Sequence, residues 1–164
     1  MPRLEDLDPN ERERFINWPC IDNDDSPWTP MRKKLSESKV ALVTTAGLHV
    51  RGDNPFLTGR GVSETSYRII PRKTTHADIL QSHSSIGFDR SNIYRDLNIS
   101  FPVDRLNELL DSGQIGSLSD KYYSFMGALV DKDVIISGIV EDSAPRVAAM
   151  LIEENVDVVL MTPT

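Results

Sequence analysis

The sequence has a single cysteine, no long hydrophobic run and no excess of basic residues. Cys20 is alone among 164 residues, which excludes an intrachain disulfide and any cysteine-rich zinc site. No stretch approaches the roughly 18 consecutive apolar residues of a transmembrane helix, so we expect no membrane partner. The net charge of −7 argues against nucleic acid as a partner, because non-specific binding to nucleic acid requires a basic surface.

Two further motifs are missing. The N-terminus is acidic and has no apolar segment of the kind that secretion signals contain. The G-x-G-x-x-G series is absent as well, so dinucleotide binding has little support. What remains is an ordinary globular composition, with 39% hydrophobic and 26% charged residues. We therefore expect a cytoplasmic protein with one domain of moderate size.

Two apolar, β-branched runs predict buried parallel strands. The first covers residues 39–45 and the second covers residues 156–164. Before the second run, residues 143–155 have the pattern of an amphipathic helix, with Ser143 as N-cap and Asn155 as left-handed C-cap. These segments predict an α/β fold: a Rossmann-like three-layer sandwich with a mostly parallel sheet.

The remaining segments fill in this fold. Residues 65–70 and 78–83 are predicted to be short strands by their β-propensity. Residues 101–113 predict a helix with one apolar face, and Leu106→Asp is expected to unfold this region. Residues 134–140 have the composition of a strand but could equally lead into the next helix, and both alternatives stay open.

Residues 1–38 differ from the rest of the chain in their pattern of residue types. Their charges alternate without a clear period, and tryptophans and prolines recur. We predict a largely irregular N-terminal arm over residues 1–38, followed by an α/β domain over residues 39–164. The acidic residues 22–25 are predicted to be a solvated turn rather than a cation site. Cys20, which follows Trp18 and Pro19, is predicted to be a small packed hydrophobe without a catalytic role.

The candidate site residues follow the predicted strands, because ligands of open α/β sheets bind beyond the carboxyl ends of the strands. Thr45 and Thr162 have hydroxyl groups at two strand ends and could donate hydrogen bonds to a ligand. Threonine is also an ordinary end-of-strand residue, which is the competing interpretation. Gly47 would allow an unusual backbone dihedral or a close approach to a ligand.

His49 and His83 each follow a predicted strand and could line the same rim. There they would orient a substrate carboxylate or exchange a proton, or they could be ordinary hydrogen-bonded loop histidines. Asp89 lies in a polar, glycine-bearing loop and is a further site-lining candidate. The two histidines and Asp89 could form a two-His-one-carboxylate site, but local spacing does not support one, so we predict no metal.

Several segments, in this order, carry a resemblance to a known family: PWTP at 27–30, VALVTTAGLH at 40–49, DLNISFPVDRL at 96–106, GQIGS at 113–117, FMG at 125–127 and VDVVLMTP at 156–163. Together they resemble the glycine/sarcosine/betaine/D-proline reductase selenoprotein B family. The likeness covers residues 27–164 in order and without large gaps.

The resemblance implies a reductase that cleaves a small amino-acid-type substrate with electrons from a thioredoxin-like or dithiol donor. It also implies a selenocysteine-x-x-cysteine or cysteine-x-x-cysteine pair after Thr164, a pyruvoyl group on a partner subunit, and a homo- or hetero-oligomer. The 164 residues contain no such pair, so the resemblance places no catalytic residue in this chain. We hypothesise truncation at a selenocysteine codon and expect this form to be inactive.

A non-catalytic α/β binding or scaffold module is the alternative. The two hypotheses differ in the environment expected for the last strand. A finished domain should cover both faces of that strand, whereas a truncated domain should leave residues such as Leu160 or Met161 partly bare.

Overall fold

The computed structural model describes residues 3–18, 29–59, 61–85, 90–129 and 131–164. Seven strands occur in these ranges: β1 Lys39–Thr44, β2 Leu48–Val50, β3 Arg68–Pro71, β4 Ile79–Gln81, β5 Ser117–Leu118, β6 Lys121–Ser124 and β7 Val158–Thr162. The α-helices are α1 Pro9–Ile16, α2 Ser91–Arg95, α3 Val103–Asp111, α4 Lys132–Val134 and α5 Ala144–Glu153, with a π-helix at Ile135–Ser143 between the last two. Short 3₁₀-helices cover Leu4–Asp6, Leu35–Glu37, His76–Asp78 and Leu97–Ile99.

β1 is the central strand of the main sheet. It pairs in parallel with β7 over its length, from Val40 opposite Val158 to Thr44 opposite Thr162. Its opposite edge pairs in parallel with β5 near its start and with β6 near its end. β3 runs antiparallel to β6, while β2 and β4 form a separate antiparallel pair. The main sheet is therefore mostly parallel, as predicted.

Alternate residues of β1 supply two cores, one on each face of the sheet. Leu42 belongs to the cluster that contains Leu106 of α3. Its neighbour Val43 belongs to the cluster that contains Val147 of α5. Because successive side chains of a strand point to opposite faces, helices cover the sheet on both sides. The predicted α/β class, with helices and a mostly parallel sheet, is confirmed.

Most of the predicted elements are present. The helix predicted over 101–113 contains α3, and the strand predicted over 156–164 contains β7. The predicted strand 65–70 overlaps β3, and the predicted strand 78–83 contains β4. Asn155 has φ of 56° directly after α5, which is the left-handed conformation predicted for it.

The predicted N-cap at Ser143 is wrong. Ser143 has helical dihedrals (φ −72°, ψ −35°), because residues 135–143 are already helical and the chain continues into α5 without a break. Its buried hydroxyl donates a hydrogen bond to the carbonyl of Gly138 instead of capping a free N–H group. Of the two alternatives left open for residues 134–140, the helical one is therefore correct.

Among its described residues, the N-terminal arm contains an α-helix, α1, that the sequence pattern did not predict. Asp8 caps α1 by accepting hydrogen bonds from the backbone N–H groups of Asn10 and Glu11. Every residue of α1 is exposed, so it lacks the apolar face by which helices are usually recognised. The boundary at residue 38 stays a prediction. Cys20 and the acidic residues 22–25 lie outside the described residues.

None of the helices in the described ranges has the length and apolar character that crossing a membrane requires.

Candidate functional site at the carboxyl ends of the parallel strands

Threonines join the carboxyl ends of β1 and β7 to the loop before α3. The hydroxyls of Thr44 and Thr162 both donate to the carbonyl of Ser100, over 2.9 and 2.7 Å. The backbone N–H of Thr45 donates to the carbonyl of Thr162 (3.2 Å), and the Thr45 hydroxyl accepts from the N–H of Thr164 (2.8 Å). The predicted site residues Thr45 and Thr162 are thus together, and their hydroxyls fix the backbone where the two strands end.

Gly47 turns the chain away from the end of β1. It has φ of +65°, a region that glycine enters without steric cost. Its N–H donates to the carbonyl of Phe125, and its carbonyl accepts from the N–H of Ser82, both over 2.9 Å. A Cβ at this position would overlap with the carbonyl oxygen of Ser82. The close approach predicted for Gly47 is therefore an approach to the protein's own backbone.

Gly127 is a residue of the site that the sequence reasoning missed. Its N–H donates to the carbonyl of Thr45 over 2.9 Å. A Cβ at Gly127 would lie 2.5 Å from the carbonyl oxygen of Thr164 and 2.9 Å from that of Thr45. The backbones that follow β1, β6 and β7 therefore meet at Gly127. The signal in the sequence was a glycine after Phe125 and Met126, in one of the segments that carry the family resemblance.

An apolar cleft of about 360 Å³ opens beside this junction. Thr45 and Gly127 line it from the strand ends, and Ile135 and Ile139 line it from the π-helix. Met161 of β7 also lines the cleft and is 70% exposed, and its neighbour Leu160 is 39% exposed. The end of β7 is thus partly bare beside a cleft that lies where α/β proteins bind ligands.

His83 is buried next to this junction. Its Nδ1 accepts from the backbone N–H of Ser85 over 3.2 Å, and its carbonyl accepts from the guanidinium of Arg90. Burial lowers the pKa of His83 first and the positive charge of Arg90 lowers it further, while a hydrogen bond with the backbone of Thr45 acts in the opposite direction. His83 is therefore a neutral imidazole at pH 7, in contact with a predicted site residue.

His49 has different charged neighbours. It lies in β2 and is 5% exposed. Burial lowers its pKa first and Arg68 lowers it further, opposed by a backbone hydrogen bond at Gly47 and by Asp53. The two histidines that were predicted to line one rim therefore have different basic neighbours. Arg90 is the neighbour of His83, and Arg68 is the neighbour of His49.

A metal site was the alternative considered for the two histidines and Asp89. No group of three His, Cys, Asp or Glu side chains suited to a metal ion occurs in the described part of the chain. Asp89, which would have supplied the carboxylate and was a site-lining candidate, lies outside the described residues.

Comparison with known proteins identifies the family of the chain. The family model described as "Glycine/sarcosine/betaine reductase selenoprotein B" matches residues 10–164. The chain belongs to this family. The resemblance predicted over residues 27–164 is confirmed and extends into the arm.

Three relatives illustrate the match. The chain is 37% identical over 136 residues to the D-proline reductase subunit gamma of Acetoanaerobium sticklandii, covering 82% of this chain and 52% of that protein. It is 30% identical over 143 residues to the glycine reductase complex component B subunit gamma of Carboxydothermus hydrogenoformans, covering 84% and 31%. It is 30% identical over 155 residues to the sarcosine reductase complex component B subunit beta of Peptoclostridium acidaminophilum, covering 93% and 34%.

The matched part of the chain thus spans 31% to 52% of the length of these relatives. No solved structure matches it.

Proposed function

We propose that this selenoprotein B family chain is a component of a cytoplasmic reductase complex that cleaves a small amino-acid-type substrate reductively. The observation that carries this proposal is the family match over residues 10–164. Relatives named as components of D-proline, glycine, sarcosine and betaine reductases support it. The substrate would be a compound of this class, with a carboxylate and a nitrogen attached to the adjacent carbon.

In a reaction of this class, two electrons from a dithiol donor cleave the carbon–nitrogen bond of the substrate. The donor becomes a disulfide, the carbon gains a hydrogen, and the nitrogen becomes a protonated amine, which is free after cleavage of glycine, sarcosine or betaine and stays in the opened chain after cleavage of D-proline. A pyruvoyl group on a partner subunit would supply activation of the substrate. The redox pair of the family would follow Thr164, and a selenol or thiol at that place reacts as its anion. Because the 164 residues contain no such pair, we expect them to have no reductase activity alone.

The role of the present residues would be to place the backbone that leads to the redox pair. Thr45 accepts a hydrogen bond from the N–H of Thr164, and Gly127 leaves no room for a side chain between the carbonyls of Thr45 and Thr164. A reacting group held in this way keeps a defined position relative to a ligand in the adjacent cleft. The apolar walls of the cleft, Ile135 and Ile139 among them, would limit the access of water.

The test is to purify the tagged protein with its native partners and to assay reduction of glycine, sarcosine, betaine and D-proline with dithiothreitol as donor. We expect the chain to copurify with further subunits and one substrate to be cleaved, with release of an amine from glycine, sarcosine or betaine or with opening of the ring of D-proline. A protein that purifies alone, in fractions that reduce none of the four, would refute the proposal.

A non-catalytic scaffold component is the second candidate, supported by the hydroxyls of Thr45 and Thr162, which bond to the protein's own backbone. The two roles differ in how they respond to Gly127→Ala, which displaces the backbone at Thr164. In a reductase component kcat should fall at least tenfold in the purified complex. A scaffold component should keep its kcat as long as the complex assembles.

A further inference from the structure

The loop that joins β2 to β3 is held by the guanidinium of Arg68. Of this loop, residues 51–59 and 61–67 are described. The guanidinium donates hydrogen bonds to four oxygens of the loop, over 2.6 to 3.2 Å: the carbonyls of Asn54, Pro55 and Tyr67 and the hydroxyl of Ser66. It also lies 4.2 Å from the centroid of the buried Phe56 ring. Because one side chain bonds both halves of the loop, the loop stays closed only while Arg68 keeps this position.

His49 lies beside this guanidinium. Arg68 is opposite Ser124 in the β3–β6 ladder, and the hydroxyl of Ser124 accepts from the N–H of Leu48 over 2.7 Å. His49 follows Leu48 in β2 and is buried. Burial lowers the pKa of His49 most and the charge of Arg68 lowers it further, whereas Asp53 of the loop acts in the opposite direction. The imidazole is therefore neutral while the loop is closed at pH 7.

A proton on His49 would add a second buried cation beside the guanidinium of Arg68. Other charges nearby are already paired: Arg51 and Asp78, at the ends of β2 and β4, lie 3.4 Å apart, and Glu64 lies 4.0 Å from Arg68. A buried cation without a partner is unfavourable, and access of water to the ring would relieve it. Opening of the surrounding chain therefore becomes easier when His49 is protonated.

The same loop supports one wall of the cleft at the strand ends. Thr65 lies against Gly138 of the π-helix, so closely that a Cβ on Gly138 would overlap with the threonine side chain. Ile135 and Ile139 of this helix line the cleft. We propose that His49 is a proton-sensitive lock, whose protonation weakens the hold of Arg68 on the loop and loosens this wall of the cleft.

The direction of the pH dependence follows from the pKa of His49, which is lowered in the closed loop and returns toward its ordinary value of 6.5 in the open one. Above about pH 7.5 the lock is closed and independent of pH. As the pH falls below 6.5, the open loop binds more protons than the closed loop, so the opening constant rises by at most tenfold per pH unit. It becomes constant again below the pKa of the closed form.

Hydrogen exchange of the purified chain at pH 7.5 and 5.5, measured by peptide mass spectrometry, tests this lock. Protection factors are compared, because they remove the intrinsic pH dependence of exchange. We expect those of residues 51–67 to fall at least threefold at pH 5.5, together with those of the π-helix. His49→Gln should abolish this fall. His83→Gln is the matched control, because it removes the other buried histidine and should leave the fall in place.

Arg68→Lys tests the lock if His49→Gln does not fold. Lysine keeps the positive charge but loses the fork of donors, so protection of the loop should fall at least fivefold at pH 7.5. Three results would overturn the proposal: equal protection of the loop at both pH values, an equal fall in His49→Gln, or a loop unaffected by Arg68→Lys. A loop that is as protected as β1 and opens only with the whole chain would also overturn it. None of these results depends on turnover, so the proposed function is tested separately.

Discussion

At the scale of single residues, Gly47 is the position where a small change should have a large effect. Gly47→Ala would force alanine into φ near +65° and bring its Cβ against the carbonyl of Ser82. The left-handed conformation alone costs about 1–2 kcal/mol. We expect a total loss of about 3 kcal/mol or more, because the clash is with a backbone carbonyl rather than with the end of a flexible side chain. Urea unfolding of the two proteins measures it.

The variant Gly113→Ala measures the cost of the left-handed dihedral without the cost of a steric clash. Gly113 has φ of +70°, but a Cβ there would meet nothing within 4 Å. This variant should lose only the roughly 1–2 kcal/mol of the dihedral. Equal losses at both positions would show that Ser82 gives way to the added methyl group.

The two buried histidines should make the stability depend on pH. The pKa of His49 and of His83 is lowered in the folded chain, chiefly by burial and then by Arg68 and Arg90. Below the unfolded pKa of about 6.5, the unfolded chain therefore binds more protons than the folded chain, and stability falls as the pH falls. It stops falling below the folded pKa. Above about pH 7.5 these groups contribute no pH dependence.

Each histidine can contribute up to about 1.4 kcal/mol per pH unit within this window. Urea unfolding at pH 7.5, 6.5 and 5.5 measures the slope. His83→Gln should make the slope smaller, whatever it does to the stability at pH 7.5. The carboxylates whose pKa is lowered, such as Asp157, act only near and below their ordinary pKa of 3.8, outside this range. A slope unchanged by His83→Gln would show that His83 binds protons equally in the folded and unfolded chains, so that its pKa is not lowered by folding.

At the scale of elements, α3 is the helix whose loss should disrupt one face of the sheet. Leu106 is 3% exposed within the cluster on that face. Leu106→Asp removes a core side chain, worth about 2–5 kcal/mol, and buries a carboxylate. The free energy of unfolding of a domain is about 5–15 kcal/mol, so we expect most of the chain's stability to be lost. Thermal unfolding followed by circular dichroism measures this loss.

Arg105→Asp is the control for this prediction. Arg105 is an exposed neighbour on the same helix and makes an ion pair with Glu108. Exposed pairs of this kind contribute about 1 kcal/mol or less. If Arg105→Asp destabilised the protein as much as Leu106→Asp, helix propensity rather than the core would be responsible.

The elements also show which patterns can be interpreted from sequence. The helix α3 was predictable because an apolar face and a terminal glycine occur within one short segment. The π-helix at Ile135–Ser143 was not, because its isoleucines and valine are equally typical of a strand. Tertiary packing decides it: Gly138 lies against the side chain of Thr65, and Ile139 packs on the core cluster of the α5 face.

At the scale of the whole molecule, the sequence predicted only those site residues that lie at the ends of strands. Thr45 and Thr162 were found because parallel strands end at one edge of the sheet. Gly127 depends on β6 lying beside β1, a pairing that no local pattern specifies. The cluster of His49 and Arg68 likewise joins segments that only the folded chain brings together.

The molecule as a whole presents its methionines very differently to solvent. Met161 is 70% exposed at the edge strand, Met31 is 57% exposed in the arm, and Met126 is 3% exposed. Since oxidation of methionine follows exposure, hydrogen peroxide should oxidise Met161 and Met31 at least tenfold faster than Met126 in the purified chain. Peptide mass spectrometry over time measures the three rates.

The same experiment on the native complex connects this surface to assembly. Relatives of the chain are subunits of reductase complexes, and an apolar end of β7 exposed in the free chain is suited to burial against another subunit. We expect oxidation of Met161 to slow at least tenfold in the complex, whereas the rate at Met126, already buried, should stay the same. The oxidation rate of Met31 shows whether another subunit also covers the arm. A Met161 that oxidises equally fast in both preparations would place the contacts of the proposed complex away from the end of β7.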